Sequence, residues 1–250
     1  MSSTTAFLAS FISILIGAAI GMVLKRSWLA DRLEGGSREA IRLGAGFLST
    51  LAALVIGLMI ASAKNTYDAQ NTNIRQLGTN AALLDQMLTK YGPDAKAARA
   101  LLREIIPSAT TRIWRESISD GGSTFVISTT AERFYNAVEG LNPTNAEQTS
   151  LKSRIIDITT DMGRTRLLVF TQSDNAIPVP FFVVLTFWLV VIFATFSLFS
   201  EPNKIVVASV LVFALSVSSA LFLIVDLSQP FSGLMQISNH HLHAVLPKIE

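Results

Sequence analysis

Three histidines near the end of the 250-residue chain are the side chains best suited to bind a metal or to titrate near neutral pH. They are His240, His241 and His243. Imidazole ligates metals and changes its charge near neutrality, but a metal site needs further ligands. The chain has no cysteine, and the nearest acidic residue is Glu250. We therefore interpret the histidines as solvated tail residues and expect neither a metal nor a cofactor.

Catalytic chemistry has little basis in the sequence. Asp157 and Asp161 lie four residues apart, so a helix would place both carboxylates on one face. A solvent-exposed helix face is the ordinary explanation of such a pair. The chain has no nucleophile elbow, no phosphate-binding glycine-rich loop with lysine and no HExxH motif. The net charge is only +2 and the basic residues are scattered, so no nucleic-acid-binding patch is expected. We predict that the protein is not an enzyme.

One junction combines a carboxylate with two helix-ending residues. Asp226 ends an apolar run and is followed by Pro230, Phe231 and Gly233. A carboxylate at the end of a membrane span is costly unless it is hydrated or paired. Proline stops a helix, and phenylalanine can anchor at the membrane interface. The junction therefore either terminates and anchors a span or contributes to a gate.

Four apolar runs must position these residues. They cover residues 6–24, 41–63, 179–199 and 205–227, and each approaches the ~20 residues that a helix needs to cross a bilayer. Half of all residues are hydrophobic and 15% are charged, which is typical of a chain surrounded by lipid. We predict an all-α, polytopic membrane protein with four transmembrane helices in two hairpins. The first run is longer than a signal-peptide core and lacks a basic leader, so we expect it to be retained.

The polar block between the second and third runs is predicted to be a helical extramembrane stalk. Apolar residues recur there at spacings of three and four, typical of packed helices. We expect Gly92 and Pro107 to end its first two helices, and Thr144 with Glu147 to form a capping box before the last. The seams pack either within one chain or between subunits. The predicted divisions are residues 1–63, 64–177 and 178–227, and an amphipathic tail at 228–250.

Small and aromatic residues in the spans are candidates for a pore or gate. Ser49 and Gly57 belong to a ridge of small residues repeated every four positions in the second run, and Gly17 and Gly21 form a similar pair in the first. Such ridges let helices approach closely in lipid. They pack the first span on the second, or they lie at a subunit interface or a pore. Phe182, Phe193 and Phe196 could form a hydrophobic constriction, although packing or lipid contact also explains them.

Basic residues predict an orientation. The loop between the first two runs holds four of them and the loop between the last two adds one, whereas the N-terminal tail has none. The positive-inside rule places both loops in the cytoplasm and the N-terminus and the stalk outside. The basic residues concerned are Lys25, Arg26, Arg32, Arg38 and Lys204.

Several blocks of the sequence form a recognisable series in chain order. They are residues 83–95, 134–138, 141–145, 177–181 with Pro178 and Pro180, 187–188, 198–203 with Pro202 and Asn203, and 226–233. Together these blocks resemble the bacterial bestrophin-like membrane proteins. The similarity extends over nearly the whole chain after the first span. Ser228 and Gln229 stand where that family more often has an acidic–basic pair, so no charge pair is implied there.

The resemblance implies a four-span subunit that assembles as a ring around an ion pathway. It also implies a helical domain in the cytoplasm, which opposes the orientation predicted from the basic residues. Our leading hypothesis is a homo-oligomeric, anion-conducting channel in a bacterial inner membrane, with lipid and inorganic ions as its partners. The alternative is a non-conducting scaffold or sensor whose helical stalk binds a partner protein.

Overall fold

Helices account for every regular element in the part of the chain that the computed structural model describes, which is residues 2–26, 35–116, 129–173, 179–201 and 203–237. Four of them are long and apolar enough to cross a membrane, as predicted. A single 3₁₀ turn, Pro93–Ala95, follows the second helix. The helices are α1 (Ser3–Arg26), α2 (Gly35–Tyr91), α3 (Lys96–Glu116), α4 (Thr129–Glu139), α5 (Ala146–Ser173), α6 (Val179–Phe199) and α7 (Lys204–Leu227).

The chain divides into two compact units. The first contains Met1–Thr66 and Ala176–Ser228, and the second contains Tyr67–Asn175 and Gln229–Glu250. Helix α2 contributes its first part to one unit and its last part to the other without an interruption over 57 residues. The four long apolar segments belong to the first unit, which we call the span unit. The second is called the helical unit.

In the span unit, α1 packs against both α6 and α7. Gly17 lies against Val190 and Gly21 lies against Ala194, four residues further along both helices, so α1 and α6 run in the same direction. Phe7, near the start of α1, meets Phe222, near the end of α7, with ring centroids 6.4 Å apart, so α7 runs the opposite way. The buried face of α1 is built largely from alanine, serine and glycine, which permits close approach in lipid.

The two glycines of α1 therefore pack on the third span. A Cβ atom at Gly17 would lie 2.7 Å from the carbonyl oxygen of Val190, and one at Gly21 would overlap the carbonyl oxygen of Ala194. One predicted arrangement, packing of this glycine pair on the second span, is therefore wrong, because the pair packs on the third span. Glycine spacing shows that a helix can approach a neighbour closely, but it does not show which neighbour.

The helical unit has two apolar clusters. The larger joins the end of α2 to α3, α4 and α5, and the smaller joins Ile74, Leu77 and Val169 to Phe231 and Ile237. The predicted seams of the first two helices in this unit are confirmed, since they face these clusters or pack against them. They pack within one chain. The fully buried seam residues include Ile74, Leu84, Leu88, Ala98, Leu102 and Ile155.

Two predicted helix boundaries were wrong. Pro107 lies inside α3, which continues to Glu116; proline removes one backbone hydrogen bond, and packing can outweigh that loss. The cap of α5 lies one residue later than predicted, because Asn145 Oδ1 accepts a hydrogen bond from the Gln148 N–H at 2.8 Å. Gln148 Oε1 in turn accepts from the Thr144 N–H at 2.8 Å. Glu147 instead pairs with Lys90.

Candidate functional site

The small-residue ridge of α2 lies on the surface of the chain. Ala53, Gly57 and Ala61 are exposed, and Ser49 is half-buried. Apart from the adjacent residues and the backbone of its own helix turn, no atom of the described residues lies within 4 Å of the position that a Cβ at Gly57 would take. The Ser49 hydroxyl donates to the carbonyl oxygen of Ala45 at 2.8 Å, within its own helix. Within one chain, then, this face of α2 has the shape for close helix contact but no helix against it.

Two of the three candidate phenylalanines lie together. Phe193 and Phe196 of α6, with Ile192, line a cleft of about 300 Å³ whose other side is Phe213, Ser216 and Val217 of α7. Phe182 lies elsewhere on α6 and is buried in the same helix face as Leu185 and Leu189. Phe193 is only 8% exposed, whereas Phe196 is 45% exposed. Phe196 is therefore the candidate that could meet another molecule.

Most hydroxyl groups in α6 and α7 are satisfied by their own helix. Thr186 donates to Phe182, Thr195 to Val191 and Ser219 to Leu215, each at 2.8 Å to the carbonyl oxygen four residues back. Such bonds are the usual role of serine and threonine in apolar helices. In the described part of the chain, the buried hydroxyls of Ser197 and Ser218 have no hydrogen-bond partner. Neither lines a cleft described here.

The junction after α7 begins with a buried carboxylate. Asp226 is 1% exposed and lies in the last turn of the helix. The turn is closed by Ser228, whose N–H donates to the Ile224 carbonyl oxygen at 3.2 Å and whose Oγ donates to the Val225 carbonyl oxygen at 2.7 Å. Asp226 is therefore not presented at the surface of the described chain.

The following residues form a tight turn in the helical unit. The Pro230 carbonyl oxygen accepts a hydrogen bond from the Ile237 N–H at 2.9 Å, and Gly233 has a φ of +111°, which favours glycine. Phe231 is buried with Ile74 and Leu77. It therefore belongs to the core of the helical unit and is not the interfacial anchor that we expected.

The other motif residues have simpler places. Asn203 caps α7, since its Oδ1 accepts a hydrogen bond from the Val206 N–H at 2.8 Å. Pro180 lies exposed in the first turn of α6, where a missing N–H costs nothing. Pro178, the three histidines and most of the predicted tail lie outside the described residues. The described residues contain no group of three side chains that could together bind a metal ion.

Basic residues gather at one end of the span unit. The Lys25 ammonium at the end of α1 donates to the Ser200 carbonyl oxygen, just beyond α6, at 2.7 Å. The Arg42 guanidinium near the start of α2 lies 5.2 Å from the centre of the Phe199 ring, a cation–π distance. The end of α1, the start of α2 and the end of α6 therefore meet.

Sequence reasoning missed an ionic cluster in the helical unit. The Asp85 carboxylate accepts hydrogen bonds from Arg99 at 2.7 and 2.9 Å and from Arg103 at 3.4 Å. The Arg99 hydrogen bond lowers the pKa of Asp85, and burial opposes it only in part. The same bond raises the pKa of Arg99. Arg99 and Arg103 are four residues apart on α3, which was the available signal that they share a helix face.

Comparison with known proteins gives one match. The model of the Bestrophin-like domain matches residues 12–242, which include most of α1, the other three apolar helices and all but the last eight residues of the helical unit. Neither the curated proteins nor the solved structures compared with the chain contain a match. Because the matched region covers nearly the whole sequence, the chain belongs to the Bestrophin-like family.

Proposed function

We propose that the protein is a homo-oligomeric, anion-conducting channel of a bacterial inner membrane. Membership of the Bestrophin-like family supports this function, because likeness to the bestrophins implies an ion pathway. In this proposal several copies form a ring and the ion pathway runs along the axis of the ring. The four apolar helices cross the bilayer as two hairpins, and the helical unit forms the predicted stalk.

The observation that carries the proposal is the uncovered ridge of α2. Alanine and glycine at positions 53, 57 and 61 are exposed, and the place of a Gly57 side chain is open. Lipid tails gain little from such a surface, whereas a second helix gains dispersion contacts by approaching it closely. We therefore assign the ridge to contact between copies around the pathway, with Ser49 and Gly57 near it.

The chemistry of the spans fits a pathway without fixed charges. No acidic or basic residue occurs deep inside the four apolar runs, and most hydroxyl groups of α6 and α7 are used by their own helices. Ion preference would then come from backbone dipoles and apolar constrictions.

We further propose that the N-terminus and the helical unit face the outside. The contacts of Lys25 with Ser200 and of Arg42 with Phe199 support two hairpins with their basic ends on one side. The positive-inside rule assigns such a side to the cytoplasm.

The experiment compares two glycine substitutions in the same span. Gly57→Leu would fill the ridge, whereas Gly44→Leu adds the same side chain on a different side of α2, also in open space. Native mass spectrometry of the detergent-purified protein should show one closed ring for the wild type and Gly44→Leu, and smaller assemblies for Gly57→Leu.

Liposome flux then tests conduction itself. Wild-type vesicles should pass chloride faster than empty vesicles, and Gly57→Leu should lose most of that flux. A monomeric or dimeric wild type would contradict the proposed ring. A ring without flux above empty vesicles, across pH and voltage, would leave the scaffold as the function.

The scaffold hypothesis has weaker support. Its basis was the apolar seams of the stalk, and the described seams are buried against each other within one chain. A partner would have to bind other surfaces of the helical unit.

A further inference from the structure

Two adjoining clefts lie along the exposed surface of α7. The first, already described, lies between α6 and α7 and has a volume of about 300 Å³. The second, of about 420 Å³, follows one face of α7 from Lys204 through Ala208 and Ser209 to Phe213. Phe213 lines both, so they form one groove, which we call the α7 groove. It is mostly apolar, with Ser209 and Ser216 in its lining, and has a lysine at one end.

That end of the groove lies at the basic end of the span unit. Lys204 starts α7, directly after the Ser200 carbonyl that Lys25 binds and the Phe199 ring that Arg42 covers. The described acidic residues there are Glu39 and Glu201, against five basic ones. The loop outside the described residues adds one arginine and two acids. A positive balance remains, and it is the kind that attracts anionic lipid headgroups.

We propose that the α7 groove is a binding site for an anionic phospholipid. The phosphate pairs with Lys204, and one acyl chain lies along Ala208, Val212 and Phe213 towards Phe196. An acyl chain gains no hydrophobic free energy by moving from bulk lipid into a groove, because both surroundings are apolar. Selection must therefore come from the charge of Lys204, and the groove supplies shape and dispersion contacts.

A lipid fits this surface better than a second copy of the chain. Most of the exposed apolar side chains along it are large, as at Ile205, Val212 and Phe213, and Ala208 and Ser216 are its small exposed residues. Close helix contact in lipid favours a continuous ridge of small residues. Such a ridge lies on α2. A protein partner would also have to neutralise Lys204. The inference requires that the span unit lie in a membrane, but it does not require conduction or a ring.

The test is native mass spectrometry of the delipidated full-length protein, titrated with dioleoyl phosphatidylglycerol or with dioleoyl phosphatidylcholine. We expect phosphatidylglycerol to bind about fivefold more tightly, the factor for one lysine near an anionic headgroup. Lys204→Gln should remove that preference. Ala208→Phe should weaken binding of both lipids by filling the groove. Lys96→Gln, which removes an exposed lysine from the helical unit, should change neither.

Three outcomes would overturn the site. One is equal binding of the two lipids by the wild type. A second is an unchanged preference in Lys204→Gln. The third is a loss of subunits in Ala208→Phe with lipid binding intact, which would make the groove a contact between copies. The same spectra report subunit number, so failure of this site and failure of the ring can be distinguished.

Discussion

The Arg99 guanidinium donates two hydrogen bonds to the Asp85 carboxylate, from Nε to Oδ1 at 2.7 Å and from Nη2 to Oδ2 at 2.9 Å. This paired geometry joins the end of α2 to the start of α3, across the Gly92 turn. The Asp85 side chain is only 9% exposed, so water competes weakly for the carboxylate. Paired hydrogen bonds between arginine and carboxylate are among the strongest in proteins.

Replacing Asp85 should destabilise the junction between the end of α2 and the start of α3. Asp85→Asn loses the charge and one acceptor, and we expect the free energy of local opening to fall by about 2 kcal/mol, as for a hydrogen bond to a charged group. Hydrogen exchange measured by mass spectrometry should then be roughly 30-fold faster in peptides of early α3. The control is Glu147→Gln, since its pair with Lys90 is 66% exposed on both sides and should contribute well under 1 kcal/mol. Equal effects of the two substitutions would contradict the prediction.

The same carboxylate predicts a pH dependence. The pKa of folded Asp85 lies below the ordinary value of 3.8, so the unfolded chain takes up the proton first as pH falls. The contribution of Asp85 is therefore complete at neutral pH, begins to decline near the ordinary value and disappears as pH falls through the folded pKa. The difference in exchange between wild type and Asp85→Asn, corrected for the intrinsic rate, should be constant from about pH 8 to 5 and shrink below about 4. A difference that changed between pH 5 and 8 would point to another group.

Packing of α1 on α6 should depend on the two glycines. Gly21→Ala would place a methyl group on the backbone of Ala194, so one helix must shift. We expect a loss of about 1–3 kcal/mol, as for other overpacked contacts, seen as a lower thermal unfolding temperature in detergent. Gly44→Ala is the matched control, because open space surrounds that position. An unchanged unfolding temperature for Gly21→Ala would show that the contact is looser than described.

The proposed orientation can be tested with two single cysteines, since the chain has none of its own. Lys96→Cys reports the helical unit, and Glu201→Cys reports the segment between α6 and α7. With a membrane-impermeant maleimide on spheroplasts, we expect Lys96→Cys to be labelled and Glu201→Cys to be labelled only after permeabilisation. The reverse pattern would give the bestrophin orientation. Labelling of both in intact spheroplasts would contradict the two-hairpin arrangement.

Local pattern predicted the helices well. Apolar runs with no charge deep inside predicted the four long apolar helices, and the spacing of Ile74, Leu84 and Leu88 predicted the buried face of α2. Both signals depend on residues close in sequence, because a helix brings together positions three and four apart. Pro107 shows the limit: the local rule predicted a helix end, but α3 continues through it.

Contacts between distant segments could not be predicted in the same way. Nothing local indicates that Gly21 meets Ala194, because that contact requires knowing which helices are neighbours. Among the candidate site residues, Phe193 and Phe196 share a cleft because they are three residues apart on one helix. Their neighbours Phe213 and Ser216 come from α7, which the sequence alone could not place beside them.

The parallel course of α1 and α6 gives the basic end of the span unit a second role. Each peptide group in a helix carries a dipole, and these sum to a partial negative charge at the carboxyl end. Two helices that run the same way bring two such negative ends together, and the contact between Lys25 and Ser200 shows that they meet here. Lys25 and Arg26, in the last turn of α1, offset that charge. The amino end of α7, which starts at Lys204 close to Ser200, carries the opposite partial charge and offsets part of it as well. The basic residues from which the membrane orientation is inferred therefore also contribute to the electrostatic balance of the helix ends that meet there.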